Sequence, residues 1–325
     1  MKKGVSIMIC TFNGASRLSK TIQHIAAQRT ANLHWEVIFV DNASTDSSTE
    51  VVASEWNKYG PSNVKLTKLA VTRPGKIYAL EQAFLHAQFE YAIICDDDNW
   101  LDPDYVRIVY EVLDNNNRIG AVGGQSVAVT NSGIFPEWFK QYQDGYAVGQ
   151  QGVNTGDISF RGHLWGAGMG TRTSLYKEMY RDFPSLLTGR RGDALTAGED
   201  AEYCQRLILR GYILYYDSRL FFSHYMPESR LTESYRDRLF AGFEASNMIL
   251  DNYYIANRYI NRHRVNLGKR TKYLAVNIFR SLFASTKKKR THARIALIFA
   301  GTIPTYSDSV ISNIMAFYNT RGSRF

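Results

Sequence analysis

The sequence predicts an α/β domain built on a mostly parallel β-sheet, followed by a helical extension. Short apolar runs alternate with segments whose apolar residues recur every three or four positions, which is typical of strands alternating with helices. Such alternation favours a parallel sheet with right-handed crossovers. From residue 233 onward the pattern is that of amphipathic helices alone. With 325 residues, 45% of them hydrophobic, the chain is long and apolar enough for a large core.

The first half of the chain predicts four strands. Each is a run of five or six residues in which at least half are apolar, and a polar turn follows it. The predicted strands span 5–10, 35–40, 64–69 and 91–95, and helices are expected around 18–26, over 76–87 and over 103–113.

The second half is less regular. A strand is predicted over 122–129, and a segment rich in glycine and aromatic residues continues to residue 169. Glycine in such a segment indicates close approach of the backbone to a ligand, or a lid. We then expect a helix over 201–210 and two short strands over 212–216 and 220–223.

The most informative motif is Asp96-Asp97-Asp98, directly after the fourth strand. Three adjacent carboxylates at the end of a buried strand repel one another unless a positive charge lies nearby, and hard oxygen ligands suit a divalent cation. Strand alternation would point Asp96 and Asp98 one way and Asp97 the other. The alternative interpretation is a solvated acidic turn.

Other polar residues follow the neighbouring strands. Thr11 and Asn13 follow the first strand and Asp41 follows the second, so all three are expected at the edge of the sheet where ligands bind. Their side chains suit the edges of a nucleotide base, although turn and cap chemistry would use the same residue types. Arg73 and Lys76, at the start of a helix, suit an anion or a solvated basic turn.

Four motifs in this order resemble the family 2 glycosyltransferases of the GT-A fold, over roughly residues 3–230. They are Ser-Ile-Met-Ile-Cys-Thr-Phe-Asn at 6–13, Val-Asp-Asn-Ala-Ser-Thr-Asp at 40–46, the three aspartates, and Gly-Glu-Asp-Ala-Glu at 198–202 with Arg206 after it. The resemblance implies a catalytic domain over 1–232, with a nucleotide-sugar half to about 125 and an acceptor half beyond it. The basic helical region would then span 233–325.

The resemblance also implies roles for single residues. A nucleotide-diphosphate sugar, with UDP-sugar the first choice, would bind Thr11, Asn13, Asp41, Lys76 or Arg73, Asp96 and Asp97, and Mn²⁺ or Mg²⁺ would bind Asp96, Asp98 and His224. In an inverting transfer the base would be Asp200, with Glu199 as the alternative. An acid-rich helix N-terminus and a structural histidine are the plainer interpretations of these last positions. Trp165 and His163 would form a stacking face for the acceptor, with Trp138 and Tyr142 as core or lid residues.

Two rival functions stay open at this point. A nucleotidyltransferase also combines an α/β sheet with acid-bound metal, but the turn over 11–17 lacks a glycine-rich basic phosphate loop. A catalytically silent nucleotide-sugar-binding protein would differ from an active glycosyltransferase only in that it does not turn over its substrates.

The C-terminal region carries most of the basic charge. Residues 258–325 hold 14 Lys and Arg against one acid, Asp308. This region predicts either docking on an anionic membrane surface, helped by the basic run 287–290, or a helical layer packed on the catalytic domain. We expect no nucleic-acid partner, because no such motif is present. A glycan or lipid-linked acceptor is expected, and an oligomer is allowed.

The scattered residues Cys10, Cys95 and Cys204 predict free thiols. The N-terminus runs straight into a strand, so no signal peptide is expected. A cytoplasmic location follows, including the inner face of the cytoplasmic membrane.

Overall fold

The computed structural model describes residues 1–181, 183–187, 197–262, 266–302 and 309–319, without the side chains of 286–291 and 309. Within these residues ten strands form one sheet. The strands are β1 (Lys2–Thr11), β2 (Trp35–Asp41), β3 (Lys65–Ala70), β4 (Phe89–Asp96), β5 (Asn99–Leu101), β6 (Ile119–Val129), β7 (Gly149–Gln150), β8 (Gly156–Asp157), β9 (Met169–Arg172) and β10 (Ile213–Tyr225).

Helices cover both faces of the sheet and continue beyond it. They are α1 (Ala15–Ala26), α2 (Ser48–Tyr59), α3 (Lys76–His86), α4 (Tyr105–Asn115), α5 (Phe139–Tyr142), α6 (Thr173–Arg181), α7 (Glu199–Leu209), α8 (Glu233–Asn261), α9 (Leu267–Phe283), α10 (Thr286–Ala300) and α11 (Ser309–Asn319). The predicted fold class is confirmed, including the helical extension.

The strand order is β3-β2-β1-β4-β9-β6-β10-β5, with β7 beside β6 and β8 beside β10. The first four strands in this order pair in parallel, and β6 pairs in parallel with β10. Strand β9 lies antiparallel between β4 and β6, so it joins the two parallel parts. The carboxyl ends of β1 and β4 therefore meet at one edge, as predicted.

Alternation along β1 divides the core into two layers. Val5, Ile7 and Ile9 face the layer that contains α1, α2 and α4. Met8 faces the layer that contains α3, α6 and α7. Since successive side chains of a strand point to opposite faces, a continuous apolar run is what a strand covered on both faces requires.

Three predictions about elements were wrong. The two short strands expected at 212–216 and 220–223 are the single strand β10, which bulges between Tyr216 and Phe221. Asp217 is buried there because Arg219 donates to its carboxylate, with Nε to Oδ1 at 3.0 Å. Helix α4 begins at Tyr105, after Pro103. Strand β4 ends at Asp96, so strand alternation does not govern Asp97 and Asp98, which lie in a turn.

The C-terminal helices pack in sequence on the domain. Helix α8 packs on α7, α11 and α10 pack on α8, and α9 packs on α10. The side chains of the basic run 287–290 lie outside what the structure describes. Among the described helices, none combines the length and the apolar character needed to cross a bilayer.

Candidate active site

A cavity of about 750 Å³ opens at the carboxyl ends of β1 and β4. One wall carries the three aspartates and Lys76. A second wall carries Glu199 and Asp200 at the start of α7, and a third is formed by residues 141–147 and by α8. This volume is within the range of small-molecule sites. Acid sites separated by 100 residues of sequence therefore share one space.

Each carboxylate of the acid cluster has its own cationic partner. Lys76 pairs with Asp96. The Arg17 guanidinium grips Asp97 with two bonds, Nε to Oδ1 at 3.0 Å and Nη2 to Oδ2 at 2.8 Å, and the Thr11 hydroxyl also donates to Asp97. With such partners, including those of Asp98 described next, the three negative charges can lie side by side at the end of a strand.

Asp98 is the most deeply buried member of the cluster, with 2% of its surface exposed. Its Oδ2 accepts a bond from Arg230 Nη1 at 2.6 Å, and its Oδ1 lies 3.2 Å from His224 Nε2. Burial opposes ionisation of this carboxyl, but Arg230 and His224 outweigh it and hold the pKa of Asp98 well below its usual range. Asp98 is therefore a carboxylate at neutral pH.

Arg17 and Arg230 were missed by sequence reasoning. They lie 80 and 132 residues from the carboxylates they bind. The one signal in the sequence was charge balance, because three adjacent acids that face a core require nearby cations. That balance does not say which of 39 basic residues supplies them.

The donor atoms at Asp98 fit a divalent cation that is shared with a ligand. Asp98 Oδ1 and His224 Nε2 are 3.2 Å apart in the ion pair described above, and with a neutral imidazole both atoms could instead bind one ion. His224 Nδ1 is buried and has no hydrogen-bond partner within the described residues. Those residues contain no cluster of three or more His, Cys, Asp or Glu that could hold a metal alone. The chemistry suits an ion held by few protein ligands plus phosphate oxygens.

The residues predicted to bind a nucleoside fall into two groups. Thr11 lines the cavity, whereas Asn13, in the loop after β1, and Asp41, the last residue of β2, are not among the residues that line it. Asn13 Oδ1 accepts from the Thr45 N–H at 2.8 Å, and Asp41 Oδ1 accepts from the Ser44 N–H at 2.9 Å. The first bond ties the loop after β1 to the loop after β2, and the second lies within the turn at the end of β2, which agrees with the turn and cap interpretation.

Of the two basic residues predicted to form an anion site at the start of α3, only one lines the cavity. Lys76 lines the cavity and pairs with Asp96, but Arg73 is exposed and stacks on the Tyr78 ring, 3.7 Å from its centroid. Gly75 precedes the helix with φ at 134°, a backbone conformation that favours glycine. Its N–H donates to Asn42 Oδ1 at 2.7 Å, so Asn42 orders the start of α3.

Asp200 is held by two backbone groups. Gly166 N–H donates to Oδ2 and Ala201 N–H donates to Oδ1, each at 2.8 Å. Gly198, just before α7, has φ at 117° and turns the chain so that the helix starts at the cavity. A carboxylate has about four lone-pair positions, so Asp200 can still accept a proton from a bound molecule.

A buried ion pair anchors the helix that carries Asp200. Glu202 and Arg206 are both fully buried and pair at 2.8 Å. Tyr253 of α8 donates to Glu202 Oε1 at 2.8 Å, and Arg206 also donates to the carbonyls of Met179 and Pro184. Glu202 and Arg206, one helical turn apart, therefore form a buried hub that ties α7 to α6 and α8.

Trp165 and His163 both line the cavity. Trp165 is 6% exposed and belongs to the core, with its N–H donating to Gln151 Oε1 at 2.7 Å. Burial, with help from the charge of Arg161, lowers the pKa of His163, so this ring is neutral at pH 7. Tyr142 lines the cavity too, whereas Trp138 packs in an aromatic cluster behind it.

Two family models match the chain. The model of glycosyl transferase family 2 matches residues 6–168, half of the chain, and that of glycosyl transferase family group 2 matches residues 91–303. The chain belongs to glycosyl transferase family 2. The two matches together include the acid cluster, Asp200, His224 and Arg230 of this family 2 glycosyltransferase. Because the chain belongs to this family, the alternative that it is a nucleotidyltransferase is no longer supported.

Curated relatives match part of the chain. Poly-β-1,6-N-acetyl-D-glucosamine synthase of Staphylococcus epidermidis is 26% identical over 122 residues, which are 38% of this chain and 28% of that protein. Poly(ribitol-phosphate) β-N-acetylglucosaminyltransferase TarS of Staphylococcus aureus is 22% identical over 112 residues, 34% of this chain and 19% of that protein. The cholesterol galactosyltransferase of Borreliella burgdorferi is 29% identical over 109 residues, 34% of this chain and 29% of that protein. These matches therefore cover less than a third of each relative.

Solved structures share the fold of the family 2 glycosyltransferase over nearly its whole length. S. aureus TarS in complex with UDP-GlcNAc aligns with a TM-score of 0.53 and 15% identity, over 97% of this chain and 90% of that chain. Mannosyltransferase PcManGT of Pyrobaculum calidifontis, in complex with GDP-Man and Mn²⁺, aligns with a TM-score of 0.52 and 15% identity, over 99% and 77%. The GT-A architecture is therefore confirmed.

Proposed function

We propose that this family 2 glycosyltransferase moves a sugar from a UDP-sugar to an acceptor hydroxyl and inverts the anomeric centre. The observation that carries the proposal is that the acid cluster and Asp200 line one cavity from separate elements, the end of β4 and the start of α7. An inverting transfer needs a base on the side of the sugar opposite the leaving diphosphate, which two acid sites on different elements can provide. The UDP-GlcNAc complex of TarS supports UDP as the nucleotide.

In the proposed step, the acceptor oxygen bonds to the anomeric carbon while the bond from that carbon to the diphosphate oxygen breaks. Asp200 takes the proton of the acceptor hydroxyl, and the electron pair of the broken bond leaves with the nucleoside diphosphate. The two backbone bonds to Asp200 orient its carboxylate before the acceptor arrives. Glu199, on the same wall, is the alternative base.

The negative charge of the leaving diphosphate would be stabilised at the wall that carries the three aspartates and Lys76. Lys76 and Arg230 line it and supply fixed positive charge at the end of the sheet. Mn²⁺ or Mg²⁺, when bound at Asp98 and His224 with Asp96 nearby, would supply further charge to the diphosphate. Arg230 keeps Asp98 ionised and so keeps that ligand ready.

The acceptor is proposed to bind along the third wall. Tyr142, Tyr146, Phe240 and Phe243 give this wall an aromatic surface, with Trp165 and His163 next to Asp200. Aromatic faces suit both sugar rings and apolar groups. The names of the relatives support such an acceptor, since two of them specify poly(ribitol phosphate) and cholesterol and the third specifies a polysaccharide as product. We therefore propose a glycan or lipid-linked glycan as acceptor, used at the inner face of the cytoplasmic membrane.

The experiment measures UDP release from a panel of UDP-sugars with Mn²⁺ and a set of glycan and lipid-linked acceptors. Asp200→Asn should leave donor affinity near the wild-type value while kcat falls by roughly 10²–10⁴, the usual contribution of a positioned base. Glu199→Gln is the matched control, and a larger loss of kcat there would transfer the role to Glu199. If nucleotide sugars bind but no acceptor is glycosylated, the result favours the alternative function, a catalytically silent nucleotide-sugar-binding protein.

A further inference from the structure

Within the residues that the structure describes, helix α9 packs on the protein through the side that faces α10. On that side the Tyr273 ring stacks on Phe299 of α10, with centroids 5.1 Å apart. Asn277, which is 7% exposed, meets His292 of α10 with Oδ1 and Nδ1 at 2.9 Å. Because α10 lies between α9 and α8, α9 is the outer layer of this region. Its other side is available for contact with something else.

That other side is apolar. Ile278, Phe279, Leu282 and Phe283 are 49%, 64%, 65% and 75% exposed. Residues three or four apart in a helix share a side, and the Phe279 and Phe283 rings are 4.9 Å apart. Large apolar side chains gathered on one helix face are typical of an interaction surface, whereas single exposed ones are ordinary. We call these four residues the α9 face.

The helix that carries the α9 face also carries exposed basic residues and no acid. Lys269, Lys272 and Arg280 are exposed on the same helix. The sequences of α9 and α10 contain no Asp or Glu. Two copies of this surface would bring like charges together, so the charge disfavours self-association. A partner that is apolar beneath and negatively charged at its surface matches both features.

We propose that the α9 face docks on an anionic lipid bilayer. The helix would lie in the plane of the interface, with the four apolar side chains below the headgroups and Lys272 and Arg280 at the level of the lipid phosphates. Apolar residues on one face and basic residues beside them are the two signals that interfacial helices combine. This surface is separate from the cavity, so its test is independent of the proposed transfer reaction.

The experiment is co-sedimentation of the full chain with phosphatidylglycerol–phosphatidylcholine vesicles and with pure phosphatidylcholine vesicles. The wild type should bind the anionic vesicles, and less so as salt rises from about 0.1 to 1 M, because the Debye length falls from about 10 to 3 Å. Phe279→Ser, Leu282→Ser and Phe283→Ser combined should weaken that binding at least tenfold. Lys272→Gln with Arg280→Gln should reduce binding to anionic vesicles only.

A control variant removes apolar residues that are even more exposed, elsewhere on the surface. Val153→Ser with Phe160→Ser, at positions 92% and 91% exposed, should leave vesicle binding unchanged. UDP release with a short soluble acceptor should be the same in the triple variant and the wild type, which separates failure of docking from failure of the proposed function. The proposal is overturned if the wild type ignores anionic vesicles, or if the triple variant binds them equally well. It is also overturned if light scattering shows a dimer that only the triple variant abolishes, since a second copy would then cover the face.

Discussion

Arg230→Gln should destabilise the protein because it leaves Asp98 buried without its strongest partner. Asp98 is 2% exposed, and Arg230 contacts it at 2.6 Å. Removing one partner of a buried pair costs about 3–5 kcal/mol. His224 and the amide of Asn99, at 3.2 Å each, remain beside the carboxylate, so we expect the lower value of about 3 kcal/mol. At about 2 °C per kcal/mol for a chain of this size, Tm should fall by about 6 °C.

The stability difference between the wild type and Arg230→Gln should depend on pH. In the wild type the folded pKa of Asp98 lies below the unfolded value of about 3.9, so ionised Asp98 contributes stability above that value. The contribution is lost as pH falls through the folded pKa. In Arg230→Gln the folded pKa of Asp98 rises, and protonation relieves the buried charge sooner. The stability difference between the two proteins should therefore be largest at neutral pH and should narrow as the solution is acidified.

Thermal melts followed by circular dichroism at neutral and mildly acidic pH test this reasoning. Arg29→Gln is the matched control, since Arg29 is 68% exposed in its pair with Asp104 and such pairs contribute little. In the double variant Asp98→Asn with Arg230→Gln, the total loss should be smaller than the sum of the two single losses. Equal melting of the Arg230→Gln and Arg29→Gln variants, or additive losses in the double variant, would refute the coupling.

Two further predictions concern metal and the buried hub. UDP should raise Tm clearly with Mn²⁺ and weakly with chelator, and Asp98→Asn should remove the difference; equal stabilisation with and without metal would exclude the cation role of the cluster. Glu202→Gln should lower stability by about 3 kcal/mol, because Arg206 stays buried without a carboxylate. Glu233→Gln, at a 71% exposed side chain, is its control, and similar melting of these two variants would contradict the hub.

The parts of the site near strand ends could be predicted from sequence. Thr11 and Asp96 follow apolar runs, and parallel strands bring their carboxyl ends to one edge, so their proximity required no structure. Asp200 was found through a motif at the start of a helix. Each of these signals is contained in a short stretch of chain.

The parts that could not be predicted depend on distant contacts. Arg230 lies in a short turn after β10 that has no pattern of its own, and only the fold brings it to Asp98. Strand β9 was missed because Met169-Gly170-Thr171-Arg172 is short and contains glycine; its place between β4 and β6 comes from tertiary pairing. Strand β10 was divided in two because Asp217 and Arg219 resemble a turn, although pairing with each other lets them remain within a strand.

The buried hub has a consequence for attempts to change the proposed acceptor specificity. Helix α8 supplies Phe240 and Phe243 to the cavity, and farther along it supplies Tyr253 to the support of α7. Ten residues separate Phe243 from Tyr253, about 15 Å along the helix axis. Libraries that vary the first three turns of α8 can therefore reshape the proposed acceptor wall while Tyr253 still holds the helix of Asp200. Exchange of the whole helix between homologues would instead have to carry Glu202 and Arg206 with it as one unit.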